Sequence, residues 1–411
     1  MCRVVVTGMG VISPVGNDLD TFWKNITNGV CGIDKIKRFD AGKLKVSLDA
    51  EVKDFDPKSF YDTVQEIRRS DLYMQYAYGA AKQAVEQSGI LESDLDRERL
   101  GVYVGSGIGG INSTLREAQK LMEKGPEMVS PFFVPMMISN MAAGAISIKF
   151  GAKGPTLPVV TACATSTHTI GEAYRTIKHG YADAIIAGGS EASINELSMA
   201  GFINCQALNL TDKPEEGSIP FDKRRGGFVM GEGAGMLVLE EYEHAKKRGA
   251  EIFAEVVGYG NTSDAYHITA PDPEGDGAVR AIKAAVAESQ IKDTTKVYVN
   301  AHGTGTHLND AMETKALKKV FGDEAYRLHI SSTKSITGHM MGATGAVEAI
   351  ASVLALKEDL VPPTINYKER DEECDLDYTP NQAVKADLMY AISTSLGFGG
   401  HNACIAFKKY V

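Results

Sequence analysis

The feature that most limits the folds open to this chain is a series of short, continuously apolar runs that end in glycine, separated by amphipathic helical stretches. Val4 to Thr7 runs into GMG, Leu100 to Val104 into GSGIGG, and DAIIAGGSEA into a glycine turn; the pattern returns at GAGMLVLE and at Phe253 to Gly260. Runs that are apolar at every position, rather than at every second one, are strands buried on both faces, so helices must cover both sides of the sheets. Helical spacing is expected over 20–28, capped by Asp18 or Asp20, and over 70–88, 276–289, 309–321 and 346–356. Strands are expected at VYVNA, at HISS before a loop through KSITGH, and over 388–395 and 403–408, with loops and short strands over 33–66 and a loop over 209–233. The class is α/β. No low-complexity linker divides the chain, but a split near 250 leaves two halves, 1–250 and 251–411, each opening on a buried strand that ends in glycine (VVVTG and AEVVGYG).

Composition removes several function classes. With 44% apolar and 23% charged residues the chain is an ordinary folded protein. A formal charge of -10 argues against a nucleic-acid binder held by net charge, while leaving room for a local basic face that docks an acidic partner. The six cysteines are scattered without a CxxC pair, so neither a metal centre nor a disulfide framework is indicated and a reducing, cytoplasmic location is expected. MCRVVVTG is too short and too weakly basic for a signal peptide, and no apolar segment approaches the length needed to span a bilayer. GSGIGG satisfies a dinucleotide fingerprint on paper, but its acidic follower would be Glu123, on a polar helix rather than after a second strand. It reads instead as a turn where backbone comes close to another segment or a ligand.

TACATSTH places Cys163 between a short apolar strand, expected in the proline-broken run GPTLPVV, and a helix marked by Ser166, Ile170, Tyr174 and Ile177. At a helix start, free amides and the dipole favour an anion, which would lower the thiol pKa. Taken alone, such a cysteine is as readily a small core residue. Two histidines supply a second signal: His302 follows VYVNA, and His339 closes KSITGH before the helix start MGATGA. Each alone reads as a hydrogen-bonded structural histidine. Both at strand ends on one side of a sheet, beside a helix-tip cysteine, would make a site.

Together TACATSTH, AHGTGTHLND, TKSITGHMMGATGA with Glu348, and GFGGHN (397–402) closely resemble the motifs of the condensing enzymes called β-ketoacyl-[acyl-carrier-protein] synthases, and most of all those of elongation in dissociated fatty acid synthesis. The resemblance runs over essentially the whole chain. It implies a thiolase-like duplicated fold with five layers, α/β/α/β/α, and an acyltransferase that performs a decarboxylative Claisen condensation. Initiating synthases carry asparagine where His339 stands, thiolases a second cysteine, and non-catalytic partner subunits no cysteine at the position of Cys163.

The same resemblance implies site roles. Cys163 is the nucleophile; His302 and His339 donate to the enolate; Lys334, anchored through Glu348, disfavours their protonation; the backbone amides of Cys163 and Phe398 hold the oxyanion. Thr304, Thr306 and, more weakly, Thr269 match positions that bind pantetheine; Ile108 and Phe202 match the acyl pocket, and Phe398 its gate. No cofactor is implied, since the substrates ride on the phosphopantetheine of acyl carrier protein, and the family is typically a homodimer with Phe133 near the neighbour's pocket. Arg68, Arg69 and Lys124, with Lys120 as a further candidate, are the cations expected to dock the acidic carrier. The chain departs from the usual pattern at Gln206, Leu396 and His307, which bears on docking and chain length. A polyketide-type ketosynthase, a non-catalytic partner subunit and a cysteine hydrolase remain open alternatives at this point.

Overall fold

The computed structural model describes residues 2–411. Ten strands form one hydrogen-bonded order: β1 (Val4–Ile12), β2 (Leu100–Gly105), β3 (Thr156–Leu157), β4 (Ala184–Glu191), β5 (Gly233–Glu241), β6 (Ala254–Ser263), β7 (Val297–Asn300), β8 (His329–Ser331), β9 (Tyr390–Gly397) and β10 (His401–Lys409). Across the sheet they run β8-β7-β9-β10-β6-β1-β5-β4-β2-β3. Read outward from the centre, the first five strands follow the order 1-5-4-2-3 and the last five the order 6-10-9-7-8. The strand senses also agree. β1 with β5 and β5 with β4 are antiparallel, and β4 with β2 and β2 with β3 parallel, as are their counterparts in the second half. β1 joins β6 through the antiparallel pairs Val4↔Val256 and Val6↔Ala254.

Six helices make the layers: α1 (Leu72–Ser88), α2 (Met141–Phe150), α3 (Thr165–Lys178), α4 (Asp276–Ser289), α5 (His307–Phe321) and α6 (Thr344–Glu358). α1 begins where the Asp71 side chain accepts from the Tyr73 amide, and ends at Gly89, whose φ of 60° a residue with a Cβ rarely adopts. α1 and α2 pack Ala81, Val85 and Ile146 against Val102 and Val238 on one outer face. α4 and α5 pack Ile282, Ala285 and Leu317 against Val299 and Ile392 on the other. Between the two halves of the sheet lie α3 and α6, whose Ile170, Ile177, Ile350 and Val353 share one core with Leu237 and Ile405. α6 is buried continuously from Thr344 to Leu356, as a helix walled by sheet on both sides must be. This is the five-layered, thiolase-like duplicated α/β fold.

Two local expectations fail. GPTLPVV is not a buried strand: only Thr156–Leu157 pairs, at the sheet edge, and Leu157 and Val160 are 51% and 49% exposed. Pro155 and Pro158 bracket the pair and cannot donate to a ladder. KSIT after β8 is a short helix, Lys334–Thr337, not a loop, so His339 follows one helical turn rather than a strand directly. No helix among the described residues is long and apolar enough to cross a membrane.

Candidate active site

Cys163 lies in a single 3₁₀ turn, Ala162–Ala164, that leads straight into α3. Ala162 before it has φ 51°, a left-handed conformation that costs a non-glycine residue on the order of 1 kcal/mol or more. The sharp turn is held by the Thr161 amide donating to Thr165 Oγ1 at 2.8 Å, and no side chain caps the start of α3. The loop between β9 and β10 closes over this turn. A Cβ at Gly397 would lie 2.7 Å from Thr161 O and 3.2 Å from the Cys163 amide, so only glycine lets the loop come that near. The backbone amides of Phe398 and Cys163 both favour negative charge on the sulfur.

The second half brings the imidazoles. His302 stands just past the end of β7. Its amide donates to Glu313 Oε1 at 2.7 Å and Thr394 Oγ1 at 3.0 Å, while the Gly303 amide donates to Glu313 Oε2 at 2.8 Å. His339 Nε2 is 3.0 Å from Cys163 Sγ, and its Nδ1 is 3.0 Å from Thr344 Oγ1. The two rings lie 5.5 Å apart between centroids, nearly perpendicular, and Phe228 meets His339 edge to face at 5.1 Å. The sulfur and both imidazoles line one cavity, together with Phe202, Thr269, Thr304, Thr306 and Phe398.

Electrostatics set the protonation states. Burial, then the Lys334 charge, holds both histidines well below the ordinary imidazole value, so both rings are neutral. Lys334 Nζ donates to Glu348 Oε1 in a fully buried pair, and burial nevertheless pushes the Glu348 carboxyl up to about 7. The helix-start argument for a low thiol pKa does not hold. Burial pushes Cys163 up to about 12, against the pull of Lys334 and of the two amides, because desolvation of a thiolate outweighs one helix terminus. The resting group is a thiol beside a neutral imidazole.

Other expected residues are placed differently. Ile108 is outside the cavity lining and 39% exposed, because its amide is tied at 3.3 Å to Glu191 in a turn at the surface. Arg68, Arg69 and Lys124 are exposed and make no ion pair among the described residues; the Arg69 guanidinium sits 4.4 Å over the Phe132 ring. Lys120 is engaged by the buried carboxylate of Glu117 at 2.7 Å, which weakens it as a docking cation. Leu396 lines the cavity and His307 is exposed at the start of α5. Sequence reasoning missed Glu313 and Thr344. The only signal for Glu313 was an acid on the face of α5 that also carries the buried Met312, Ala316 and Leu317.

The chain matches the family description "Beta-ketoacyl synthase, N-terminal domain" over residues 1–245 and "Beta-ketoacyl synthase, C-terminal domain" over residues 253–368. The chain belongs to the β-ketoacyl synthase family. Among its relatives, the 3-oxoacyl-[acyl-carrier-protein] synthase 2 of Staphylococcus aureus (strain N315) is 52% identical over 408 residues, 99% of this chain and 98% of that one. The protein of the same name from Synechocystis sp. is 49% identical over 409 residues, with the same coverage. The ishigamide ketosynthase/chain length factor matches this synthase fold with TM-score 0.93 and 35% identity over 100% of both chains. A type II polyketide ketosynthase solved with its acyl-carrier protein matches with TM-score 0.91 and 34% identity over 100% of both chains.

Proposed function

We propose that the protein catalyses chain elongation in fatty acid synthesis: an acyl group passes from acyl carrier protein to Cys163 and condenses with malonyl-[acyl-carrier-protein], giving 3-oxoacyl-[acyl-carrier-protein] and CO2. The observation that carries this is the 3.0 Å contact between Cys163 Sγ and a neutral His339, with His302 at the same cavity. The higher identity to elongation synthases, 52% against 35% for the ishigamide ketosynthase, favours fatty acid over polyketide chemistry.

In the first half the Cys163 thiol passes its proton by way of His339 Nε2 to the departing pantetheine thiolate as sulfur attacks the acyl carbonyl. The tetrahedral oxyanion is held by the amides of Cys163 and Phe398, each donor worth on the order of 3 kcal/mol. In the second half malonyl thioester loses CO2, and the electron pair moves into an enolate whose oxygen accepts from Nε2–H of both histidines. Neutral rings serve here: two imidazolium ions would repel, and a carboxylate could not donate. The ring must change tautomer between the halves, losing the Nδ1 proton to solvent and gaining one at Nε2 while the carriers exchange, and the Thr344 hydroxyl serves both forms, accepting from Nδ1–H in the first half and donating to bare Nδ1 in the second. The enolate carbon attacks the acyl group and expels Cys163 as thiolate, which takes up one proton from solvent, the single proton that the overall condensation consumes. Lys334 keeps the rings neutral without moving a proton itself. Thr304, Thr306 and Thr269 offer hydroxyls along the pantetheine path, and Phe202 and Phe398, 6.3 Å apart, flank the acyl end. The oxyanion, the enolate oxygen and the departing pantetheine thiolate each have a donor from this chain, in keeping with a reaction whose substrates ride on the phosphopantetheine of acyl carrier protein.

The acidic carrier docks at Arg68, Arg69 and Lys124, whose charges no acidic side chain neutralises among the described residues. In chain-extension assays the parent protein is expected to form 3-oxoacyl product with both carrier-bound and small pantetheine thioesters. Arg68→Glu should cut use of the carrier by about tenfold, the effect of losing 1–2 kcal/mol of charge complementarity, and leave the small thioester within about twofold. Equal losses on both substrates would remove that docking face.

The halves 1–250 and 251–411 are read as thiolase-like repeats, one carrying the cysteine and the other the histidines. The active form is a homodimer in the cytoplasm. β3 leaves one edge unpaired beside exposed Leu157 and Val160, with Ile108, Val134 and Ile138 also exposed, and the six cysteines are free thiols. Two charges in that strip, Leu157→Asp with Val160→Asp, should halve the mass seen by sedimentation; an unchanged mass would mean that the edge is not the contact.

A further inference from the structure

The GSGIGG turn takes no part in the chemistry above, yet it meets the walls of the site at one buried carboxylate. Glu191, at the end of β4, is fully buried and accepts four hydrogen bonds from two distant segments. Ser106 Oγ donates to Oε1 at 3.0 Å, the Gly107 amide to Oε2 at 2.9 Å, the Ile108 amide to Oε1 at 3.3 Å, and the Gly342 amide to Oε2 at 3.1 Å. Gly342 comes three residues after His339 and directly after Met341, whose φ of 46° marks a strained connection between His339 and α6. The seam is tight on every side. A Cβ at Gly342 would lie 2.4 Å from the Gly107 amide; one at Gly107 would lie 2.7 Å from Glu191 Oε2 and 3.6 Å from Ala162 O, the residue before Cys163. One at Gly189 would lie 2.7 Å from Gly342 O and 2.8 Å from Ser166 Cβ on α3.

We infer that Glu191 is a positioning residue for the condensation: its carboxylate ties the 106–108 turn, which abuts the Cys163 elbow, to Gly342, and so fixes the register between Cys163 and His339 across the two halves. The inference rests on the synthase reading for what the register is used for, but not for the geometry. Glu191 touches neither reacting atom. It acts through the backbone on both sides, and its charge also acts on the sulfur, where it opposes the thiolate.

Glu191→Gln keeps the shape of the side chain but turns two acceptor sites into an NH2 that opposes the amides. Condensation kcat is expected to fall by about tenfold to a hundredfold, as for a displacement of an ångström or less, with KM for the acyl carrier within about twofold. The separating readout is alkylation of Cys163 by iodoacetamide as a function of pH. With the negative charge gone, the alkylation midpoint of Cys163 should move to lower pH while the buried Cys374 and Cys404 stay unreactive; a merely structural loosening would expose those two thiols as well. Ser106→Ala removes one donor from the same carboxylate, together with the acceptor of the Gly109 amide, and should lower kcat by about threefold in a protein that still folds, so it decides the matter if Glu191→Gln does not fold. The proposal is overturned if either folded variant keeps the parental kcat, or if the midpoint stays in place in Glu191→Gln. Loss of the synthase reading would show differently, as a parent protein that alkylates normally but forms no 3-oxoacyl product.

Discussion

Replacing Cys163 by glutamine is expected to reduce chain extension to background while malonyl decarboxylation persists or rises. The acyl group has no other sulfur at the cavity to occupy, so loss of Sγ removes the covalent intermediate and with it the condensation. Decarboxylation asks for something else: two neutral N–H donors at the enolate oxygen, supplied by His302 and His339, whose protonation is set by burial and by Lys334 rather than by the sulfur. On the proposed roles, a glutamine amide at this position would stand where the acyl thioester stands in the loaded enzyme. Release of CO2 from malonyl-[acyl-carrier-protein], followed alongside 3-oxoacyl product, separates the two activities. If both vanish together, the division of labour between sulfur and imidazoles is wrong.

The second large effect concerns stability. Lys334→Ala removes one partner of a fully buried ion pair and leaves the Glu348 carboxyl, one oxygen of which already lacks a hydrogen-bond partner, with no counter-charge. Such a break costs about 3–5 kcal/mol at neutral pH. The sign of the pH dependence follows from Glu348, which burial already holds up at about 7. Without the lysine it rises further above its unfolded value, so the folded variant binds the extra proton. Its stability is then greatest in acid and declines as pH rises through the folded-state pKa. Urea midpoints at pH 5 and pH 8 should therefore diverge in the variant far more than in the parent. A loss below about 1 kcal/mol at pH 8 would show that the pair carries little.

Much of this architecture was legible because its signals are local. Continuous apolar runs such as Val102 to Val104 and Ile185 to Ile186 mark strands covered on both faces, and four motifs in order mark the family. What escaped depends on packing between distant segments. The short edge strand at Thr156–Leu157 is set by its prolines and by which edge it finds, not by its apolar content. The thiol pKa depends on how completely the cavity walls desolvate Cys163, and a helix start seen in sequence says nothing about that. Glu191 and Glu313 look like ordinary acids until amides from other segments, at 107 and 342 or at 302 and 303, converge on them. Ile108 matched a pocket motif, yet its turn leaves it at the surface of the single chain.

The central claim is that Cys163 carries the acyl chain and that the imidazoles discharge it onto a decarboxylated malonyl unit. The direct test is intact-protein mass spectrometry with peptide mapping, before and after malonyl-[acyl-carrier-protein] is added to protein loaded from acyl carrier protein. The expected result is a single acyl mass on the peptide that contains Cys163, lost on addition of malonyl carrier as the 3-oxoacyl product, two carbons longer, appears with one CO2. Chain extension with no acyl mass on Cys163, or discharge to free acid instead of 3-oxoacyl product, would contradict it.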